Sequence, residues 1–208
     1  MKHDANQNRT DSREYAERLQ LLQGAFWKTL LDVQAPYRWN IRRLIRGTTL
    51  DIGCGIGRNL LHLGGNGVGI DRSEHCLAQA RLKELTVFSP DEFKTWADQN
   101  KILFDNILIA HVLEHMTTDE ARVLLNHYTP FLKDNGRLII ITPQQAGYAS
   151  DSTHITYLDF TKIAELPDKH FFTKDMEYSF PFPRIFGRFF LYNEFISIWR
   201  KKVDGFRR

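Results

Sequence analysis

Apolar residues recur at two different spacings along the chain. Near the start they stand three or four positions apart, as on one face of an amphipathic helix. This first predicted helix is carried by Tyr15, Leu19, Leu22, Phe26 and Leu30. A second helix is predicted over residues 36–45, where Pro36 suits the first turn because its missing N–H would be unpaired there. Two helices are therefore expected ahead of the first strand.

From residue 48 onward, short apolar runs alternate with amphipathic stretches, which is typical of a parallel sheet wrapped by crossover helices. Five such strands are predicted, at residues 48–52, 67–71, 85–88, 104–110 and 137–142. Two more are predicted at residues 177–182 and 189–199, and the short connection between them suits an antiparallel pair. The pattern indicates an α/β fold with a doubly wound, mostly parallel sheet.

Local signals mark where some of these elements begin. Ser89 with Glu92, and Thr117 with Glu120, have the spacing of capping boxes at helix starts. Asn135 and Gly136 predict a turn into the fifth strand.

Composition narrows the class of protein. The 208 residues are 42% hydrophobic and 25% charged, which fits one ordinary domain with a sizeable core. The net charge of +3 is too small to indicate nucleic acid by itself. Cys54 and Cys76 are the only cysteines, so a disulfide framework is not expected. The expected location is therefore the reducing cytoplasm. No secretory signal or membrane-spanning segment is expected, because no long apolar run occurs.

The most informative segment is LDIGCGIGRN, residues 50–59, in which an apolar strand carries Asp51 and glycines follow at alternate positions. Such glycines allow a sharp turn and let a ligand lie against the backbone. The dinucleotide pattern G-x-G-x-x-G, begun at Gly53, would need a glycine where Arg58 stands. The Asp51 carboxylate would repel a pyrophosphate but suits an amino group and a sulfonium. S-adenosylmethionine (SAM) therefore fits better than NAD.

Four strings resemble the class I SAM-dependent methyltransferases, and among them the small stand-alone methyltransferase domains. They are DIGCGIG at 51–57, GVGIDRS at 67–73, FDNILIAHVLEHM at 104–116 and GRLIIITPQ at 136–144. The resemblance implies a Rossmann-like, seven-stranded sheet whose last strand is antiparallel. We expect a single domain over 1–208, with an N-terminal helical cap (1–46), a SAM-binding core (47–145), and a substrate-side loop with the strand pair (146–208).

Asp71 ends the predicted second strand, 18 residues after Gly53, at the position from which an acid in a nucleotide site binds a ribose. A helix N-cap is the alternative role for Asp71. The resemblance implies that Asp51 and the glycine backbone face the methionine half of SAM, with Arg72 beside the adenosine. The predicted cofactor-binding set is Asp51, Gly53, Cys54, Gly55, Gly57, Asp71, Arg72, Phe88, Ser89, Ala110 and His111.

The chain departs from the family where adenine is contacted. Members often carry an acid after the third strand and use the next backbone N–H, but here Ser89, Pro90 and Asp91 follow. Proline has no N–H to donate. Either Asp91 replaces the usual contact, or Phe88 and Ser89 serve through the main chain.

His111 and His154 are the predicted catalytic residues. They follow the fourth and fifth strands, whose carboxyl ends border the ligand crevice of an open α/β sheet. Histidine can remove a proton near neutral pH, which transfer to a hydroxyl or a protonated amine requires. Packing or capping is the alternative role for each.

The string His111-x-x-Glu114-His115, with His154 beyond it, also leaves a metal site open. It resembles E-x-x-E-H of the ubiquinone-pathway and small-RNA 2′-O-methyltransferases, where the motif holds a divalent cation, with His in place of the first Glu. The zinc-protease motif H-x-x-E-H also matches but requires a helix. The alternative is that Glu114 and His115 orient the loop. No metal ligand is assigned.

The chain lacks the D/N-P-P-Y/F string and the Pro-Cys nucleophile of DNA methyltransferases, so DNA is not an expected partner. The expected function is transfer of a methyl group from SAM to an oxygen or nitrogen of a small molecule. The alternatives are an RNA or protein methyltransferase and a non-catalytic SAM-binding domain. The sequence does not predict the oligomeric state.

Overall fold

The computed structural model describes residues 34–203. The helix predicted from Tyr15 to Leu30 lies outside these residues. The chain divides into two compact units, Met1–Lys101 and Ile102–Arg208. Among the described residues, no helix combines the length and the apolar character that crossing a membrane requires.

The described part of the first unit contains three short parallel strands and four helices. In chain order these are α1 (Ala35–Leu44), β1 (Thr49–Ile52), α2 (Arg58–His62), β2 (Gly67–Ile70), α3 (Glu74–Arg81), β3 (Val87–Phe88) and α4 (Pro90–Asn100). The predicted second helix is confirmed as α1. Parallel pairing places Asp51 beside Gly69, and Gly69 beside Val87. All four residues of β1 are buried, including the polar Thr49 and Asp51.

Gly69 on β2 marks a point of close packing. A Cβ atom at this position would lie 2.6 Å from Cys54 Sγ and 2.9 Å from Leu60 Cδ1. Only glycine leaves room there for the glycine loop to pack against the strand.

The second unit contains four longer strands. Its elements are β4 (Phe104–Ala110), a 3₁₀ turn (Leu113–His115), α5 (Thr118–Tyr128), a 3₁₀ turn (Thr129–Phe131), β5 (Leu132–Pro143), α6 (Gln145–Ala149), α7 (Phe160–Ile163), β6 (Phe172–Phe180), a 3₁₀ turn (Arg184–Arg188) and β7 (Glu194–Lys201). β4 and β5 pair in parallel, whereas β7 runs antiparallel between β5 and β6. The centres of β4, β5 and β7 are buried and form the core of this unit.

Both predicted capping boxes are confirmed. Ser89 Oγ accepts from the backbone N–H of Glu92, and Glu92 Oε2 accepts from the N–H of Ser89 at 2.7 Å. Thr117 and Glu120 repeat this exchange at the start of α5. These pairs satisfy N–H groups that a helix start leaves without an intrahelical partner.

The predicted starts of four strands were wrong by two or more residues, and the smallest of these errors is at β3, which begins at Val87 rather than 85. β5 begins at Leu132, and Asn135 (φ +60°) lies inside it, where the register to β4 shifts. Asn135 and Gly136 therefore form a bulge within the strand rather than a turn before it. β6 begins at Phe172 rather than 177, and β7 begins at Glu194 rather than 189.

The strands follow the order β3-β2-β1-β4-β5-β7-β6, and β7 is the antiparallel member. The predicted fold class, a seven-stranded, mostly parallel sheet whose last strand is antiparallel, is confirmed.

Candidate functional site

The glycine loop joins β1 to α2 in the first unit. Gly53, Gly55 and Gly57 have φ angles of +71°, +54° and +80°, in the left-handed region where a side chain is strained. The N–H groups of Gly53 and Cys54 donate to the Ile70 carbonyl at 2.8 and 3.0 Å. The loop is thereby fixed to the end of β2, with its backbone tightly curled as the alternating glycines predict.

Asp51 is a buried carboxylate with one oxygen left unpaired. Its side chain lies on β1 and is 1% exposed, and Oδ2 has no hydrogen-bond partner. Burial raises the pKa of Asp51 to about 7 against a hydrogen bond from Asn59 and the charge of Arg58, and the charge of Asp71 adds to the rise. A buried polar atom without a partner costs free energy. A cationic group beside Asp51 would remove that cost.

Asp71 lies one residue beyond β2 and is held by backbone donors. Its Oδ2 accepts from Gly55 N at 2.8 Å, and its Oδ1 accepts from Ser73 N at 2.9 Å. The N-cap of α3 is Ser73, whose Oγ accepts from Cys76 N, so Asp71 does not have the alternative capping role. Each carboxylate oxygen has a second lone pair for another donor. Arg72, next to it, is exposed.

The residues after β3 are engaged in starting α4. Because Glu92 takes the Ser89 N–H and the Ser89 carbonyl accepts from Phe93 N, the main chain of Ser89 is already used. The Phe88 ring stacks on Trp96 with centroids 5.1 Å apart. Asp91 is exposed in the first turn of α4. The sequence leaves two ways to contact adenine, through the Asp91 side chain or through the main chain of Phe88 and Ser89. The geometry favours the Asp91 side chain over the Ser89 main chain.

Cys54 contributes backbone to the loop rather than a reactive thiol. Its side chain is buried in an apolar cluster that includes Leu60, Leu77 and Val87. Burial and the charge of Asp51 raise the pKa of the Cys54 thiol well above its usual range. A buried thiol of this kind is inert.

In the second unit, Ala110 ends β4 and His111 follows it with φ +60°. The backbone N–H of His111 donates to the Ile141 carbonyl at 3.0 Å. Its Nε2 lies 2.8 Å from Glu194 Oε1, and its Nδ1 lies 3.4 Å from Glu114 Oε1. Burial lowers the pKa of His111, but its close contacts with Glu114 and Glu194 and the negative charges of both outweigh this effect and raise the pKa to about 9. His111 is therefore an imidazolium at neutral pH.

Glu114, His115 and His154 form a second group in this unit. Each offers a ligand atom, and these atoms lie within 4.8 Å of one another. Glu114 is 0% exposed, and neither of its carboxylate oxygens makes a hydrogen bond. The two imidazole rings are tilted by 58° with centroids 4.8 Å apart. Burial lowers the pKa of His115, which keeps its ring neutral at physiological pH.

Four residues that complete these groups were not predicted. Asn59 is a hydrogen-bond partner of Asp51, and Glu194 pairs with His111. Thr153 contacts His115 Nδ1 at 3.1 Å and donates to Asp151 at 2.7 Å. Asn59 lies on α2 only two residues after Gly57, and this closeness to the glycine loop could have suggested its contact with Asp51. The other three offer no local sequence signal.

Comparison with known proteins agrees with this arrangement. A family model described as a methyltransferase domain matches residues 50–138, which include the glycine loop, Asp71 and the end of β4. No curated protein matches the chain significantly.

Solved structures match over most of the chain. Magnesium protoporphyrin IX methyltransferase from Synechocystis with bound S-adenosylhomocysteine (SAH) is 16% identical, has a TM-score of 0.67, and is aligned over 97% of this chain and 100% of its own. A TehB-like SAM-dependent methyltransferase from Corynebacterium glutamicum is 18% identical over 92% of this chain and 100% of its own, with a TM-score of 0.62.

The N-methyltransferase NodS from Bradyrhizobium japonicum is 16% identical over 81% of this chain and 96% of its own, with a TM-score of 0.59. At these identities the structural likeness establishes a shared fold. The family model identifies residues 50–138, with the glycine loop and Asp71, as a methyltransferase domain.

Proposed function

We propose that this chain transfers a methyl group from SAM to an oxygen or nitrogen atom of a small-molecule acceptor. The sulfonium of SAM supplies an activated methyl group and leaves as a neutral thioether. The protein's task is then to hold the acceptor in line with that methyl group and, where needed, to remove a proton.

The observation that carries the proposal is the unpaired Oδ2 of buried Asp51 at the mouth of the glycine loop. A carboxylate in this state needs a cationic donor. The ammonium group of the methionine half of SAM is such a donor, whereas a pyrophosphate would be repelled. The residues present therefore fit SAM.

Asp71 would hold the ribose in the same proposal. Because Gly55 and Ser73 fix its carboxylate, the two oxygens keep a set direction for two neighbouring hydroxyls. Asp91 and the Phe88 ring would border the adenine, with Arg72 outside it. The assignments of Asp71 and Arg72 follow the family resemblance, whereas that of Asp91 follows from the engaged main chain of Ser89.

Two features support a small-molecule acceptor. The net charge of +3 is modest for a protein that grips a nucleic acid. One structural neighbour is, by its name, a methyltransferase of magnesium protoporphyrin IX, which is a small molecule. We also propose a cytoplasmic location, on the ground that both cysteines are free thiols.

The two candidate bases differ in what their rings can do. Both nitrogens of His111 lie against carboxylates, so this ring keeps no lone pair for an acceptor proton. The Nδ1 of His154 lies 2.7 Å from the Tyr148 carbonyl and must donate to it, which places the lone pair on Nε2. We therefore assign removal of the acceptor proton to His154 and a charged, positioning role to His111.

A screen with methyl-labelled SAM tests the proposal. The full chain is incubated with small-molecule, RNA and protein fractions, and labelled product and SAH are measured. We expect label in the small-molecule fraction, with loss of turnover in Asp51→Asn and normal turnover in the surface variant Asp134→Asn. Label only in RNA or protein would contradict the acceptor class. SAM binding without SAH formation in any fraction would indicate a non-catalytic domain.

A further inference from the structure

Glu114, His115 and His154 converge in the second unit, although the sequence separates His154 from the other two. Backbone hydrogen bonds explain the convergence, because the Glu114 carbonyl accepts from Ile155 N at 2.7 Å and from Thr156 N at 3.1 Å. The segment after His154 is thereby fixed to the turn that carries Glu114 and His115. The three side chains are held together by the fold rather than by chance proximity on a surface.

The carboxylate in this group has an ion pair but no hydrogen bond, which is less than a buried charge needs. Glu114 is fully buried, and both its oxygens are without a hydrogen bond. The nearest cation is the ring of His111, whose Nδ1 is 3.4 Å from Oε1, at ion-pair distance only. Leaving such a carboxylate unsatisfied is expensive, and a directly bound cation would satisfy it.

Both histidines are held in the tautomer that a metal ligand requires. His154 Nδ1 donates to the Tyr148 carbonyl at 2.7 Å. Thr153 uses its hydroxyl proton on Asp151 Oδ1, so its oxygen must accept from His115 Nδ1. In a neutral ring with a protonated Nδ1, the lone pair lies on Nε2. Ligating histidines in metal sites commonly have their second nitrogen fixed in this way.

We propose that Glu114, His115 and His154 bind a divalent transition-metal ion through one carboxylate oxygen and two Nε2 atoms. Two imidazoles and one carboxylate suit zinc-like ions rather than Mg²⁺ or Ca²⁺, which prefer oxygen ligands throughout. Ligand atoms on one such ion stand roughly 3.3 Å apart, and one potential ligand atom of each residue already lies within 4.8 Å of the others, so the side chains would draw together on binding. Three protein ligands leave a position open for another molecule.

Within the proposed function, a cation here would polarise the acceptor hydroxyl and lower its pKa. Because the Nε2 lone pair of His154 would then hold the cation, His154 would act on the acceptor as a metal ligand rather than as a base. The site itself does not depend on methyl transfer, since metal binding is measured without SAM or acceptor. Failure of one proposal is therefore distinguishable from failure of the other.

The test uses the full chain after chelator treatment and dialysis. We expect about one equivalent of Zn²⁺ or Co²⁺ per chain by elemental analysis and calorimetry, with little binding of Mg²⁺. His154→Ala and His115→Ala should weaken Zn²⁺ binding about a hundredfold or more. Thr153→Val, which removes the hydroxyl behind His115, should weaken it roughly tenfold. His170→Ala is the matched control on an exposed histidine and should bind normally.

X-ray absorption at the zinc edge uses the wild-type protein, so its result does not depend on whether the variants fold. It should show two imidazoles and further oxygen ligands. The proposal is overturned if the wild-type chain takes up no stoichiometric metal. It is equally overturned if the doubly substituted His115→Ala/His154→Ala chain, folded by circular dichroism, binds Zn²⁺ as tightly as the wild type.

Discussion

The imidazole Nε2 of His111, just beyond β4, lies 2.8 Å from Oε1 of Glu194, the first residue of β7. β5 lies between these strands in the sheet and pairs with both of them. The side chain of Glu194 is 11% exposed and that of His111 is 34% exposed, so the contact is shielded from solvent on the Glu194 side. This charge-assisted pair joins two parts of the second unit that are far apart in the sequence.

Removing one partner should therefore destabilise the fold. We expect Glu194→Ala to lower the free energy of unfolding by about 1 to 3 kcal/mol, because it leaves the His111 imidazolium with one carboxylate instead of two. Urea denaturation followed by circular dichroism measures the loss. Glu177→Ala, which breaks an exposed pair with Lys174 on β6, is the matched control and should cost less than about 0.5 kcal/mol. Equal losses in the two variants would show that the buried pair adds nothing.

Asp51 should make the stability of the ligand-free protein depend on pH. Its pKa is about 7 in the folded state against 3.8 ordinarily, so between these values the folded state holds a proton that the unfolded chain has lost. Stability should fall as pH rises through this window. We expect Asp51→Asn to gain about 2 to 4 kcal/mol relative to the wild type between pH 4.5 and pH 8.

Thermal unfolding at several pH values measures this gain. The control Asp134→Asn should follow the wild type. A constant difference between Asp51→Asn and the wild type at all pH values would contradict a raised pKa for Asp51.

The same carboxyl group should couple cofactor binding to proton release. Arg58, Asp71 and Asn59 surround Asp51, and an ammonium group beside it would favour the ionised form and lower its pKa. Binding of SAH should therefore release protons below about pH 7, and affinity should rise with pH up to that point and then level off. Calorimetry in buffers of different ionisation enthalpy measures the release. Absence of proton release at pH 6 would place the ammonium group away from Asp51.

Asp71 can be tested against a carboxylate in the same local geometry. Asp71 Oδ1 accepts from the N–H two residues ahead at 2.9 Å, and Asp168 Oδ1 does the same with His170 at 2.8 Å. Asp71→Asn should weaken SAH binding about tenfold to a hundredfold, because one acceptor oxygen for the ribose is lost. Asp168→Asn should bind SAH normally. Equal affinity of both variants would remove Asp71 from the ribose site.

Buried strands were predictable because burial on both faces produces continuous apolar runs. β4 was predicted to the residue for this reason, and the glycine loop with Asp51 and Asp71 was predicted from local spacing. The start of β6 was predicted too late because most of its first half is exposed and carries Lys174 and Asp175, so this half has no apolar pattern.

β7 was predicted too long for the opposite reason. Phe189 and Leu191 are apolar but 82% and 48% exposed, and they precede the strand. Asn193 is the last residue before β7. Its side-chain amide forms hydrogen bonds with the backbone of Phe182 and the side chain of Gln144, which fixes the end of this connection.

The group around His111 was predictable only in part. The spacing of Glu114 and His115 after His111 marked a chemical site, but Glu194 stands 83 residues away from His111. Thr153 and Asp151, which fix the His115 ring, are likewise remote from it in the sequence. Contacts of this kind depend on which strands become neighbours, and no local pattern encodes them.

The central claim is that the glycine loop with Asp51 and Asp71 binds the adenosine and amino-acid parts of SAM. Calorimetric titration of the full chain with SAH at pH 7.5 tests it most directly. The account predicts one site per chain with micromolar affinity, weakened at least about tenfold in Asp51→Asn and unchanged in Asp134→Asn. Absence of binding up to millimolar SAH and SAM, or equal binding by Asp51→Asn, would contradict it.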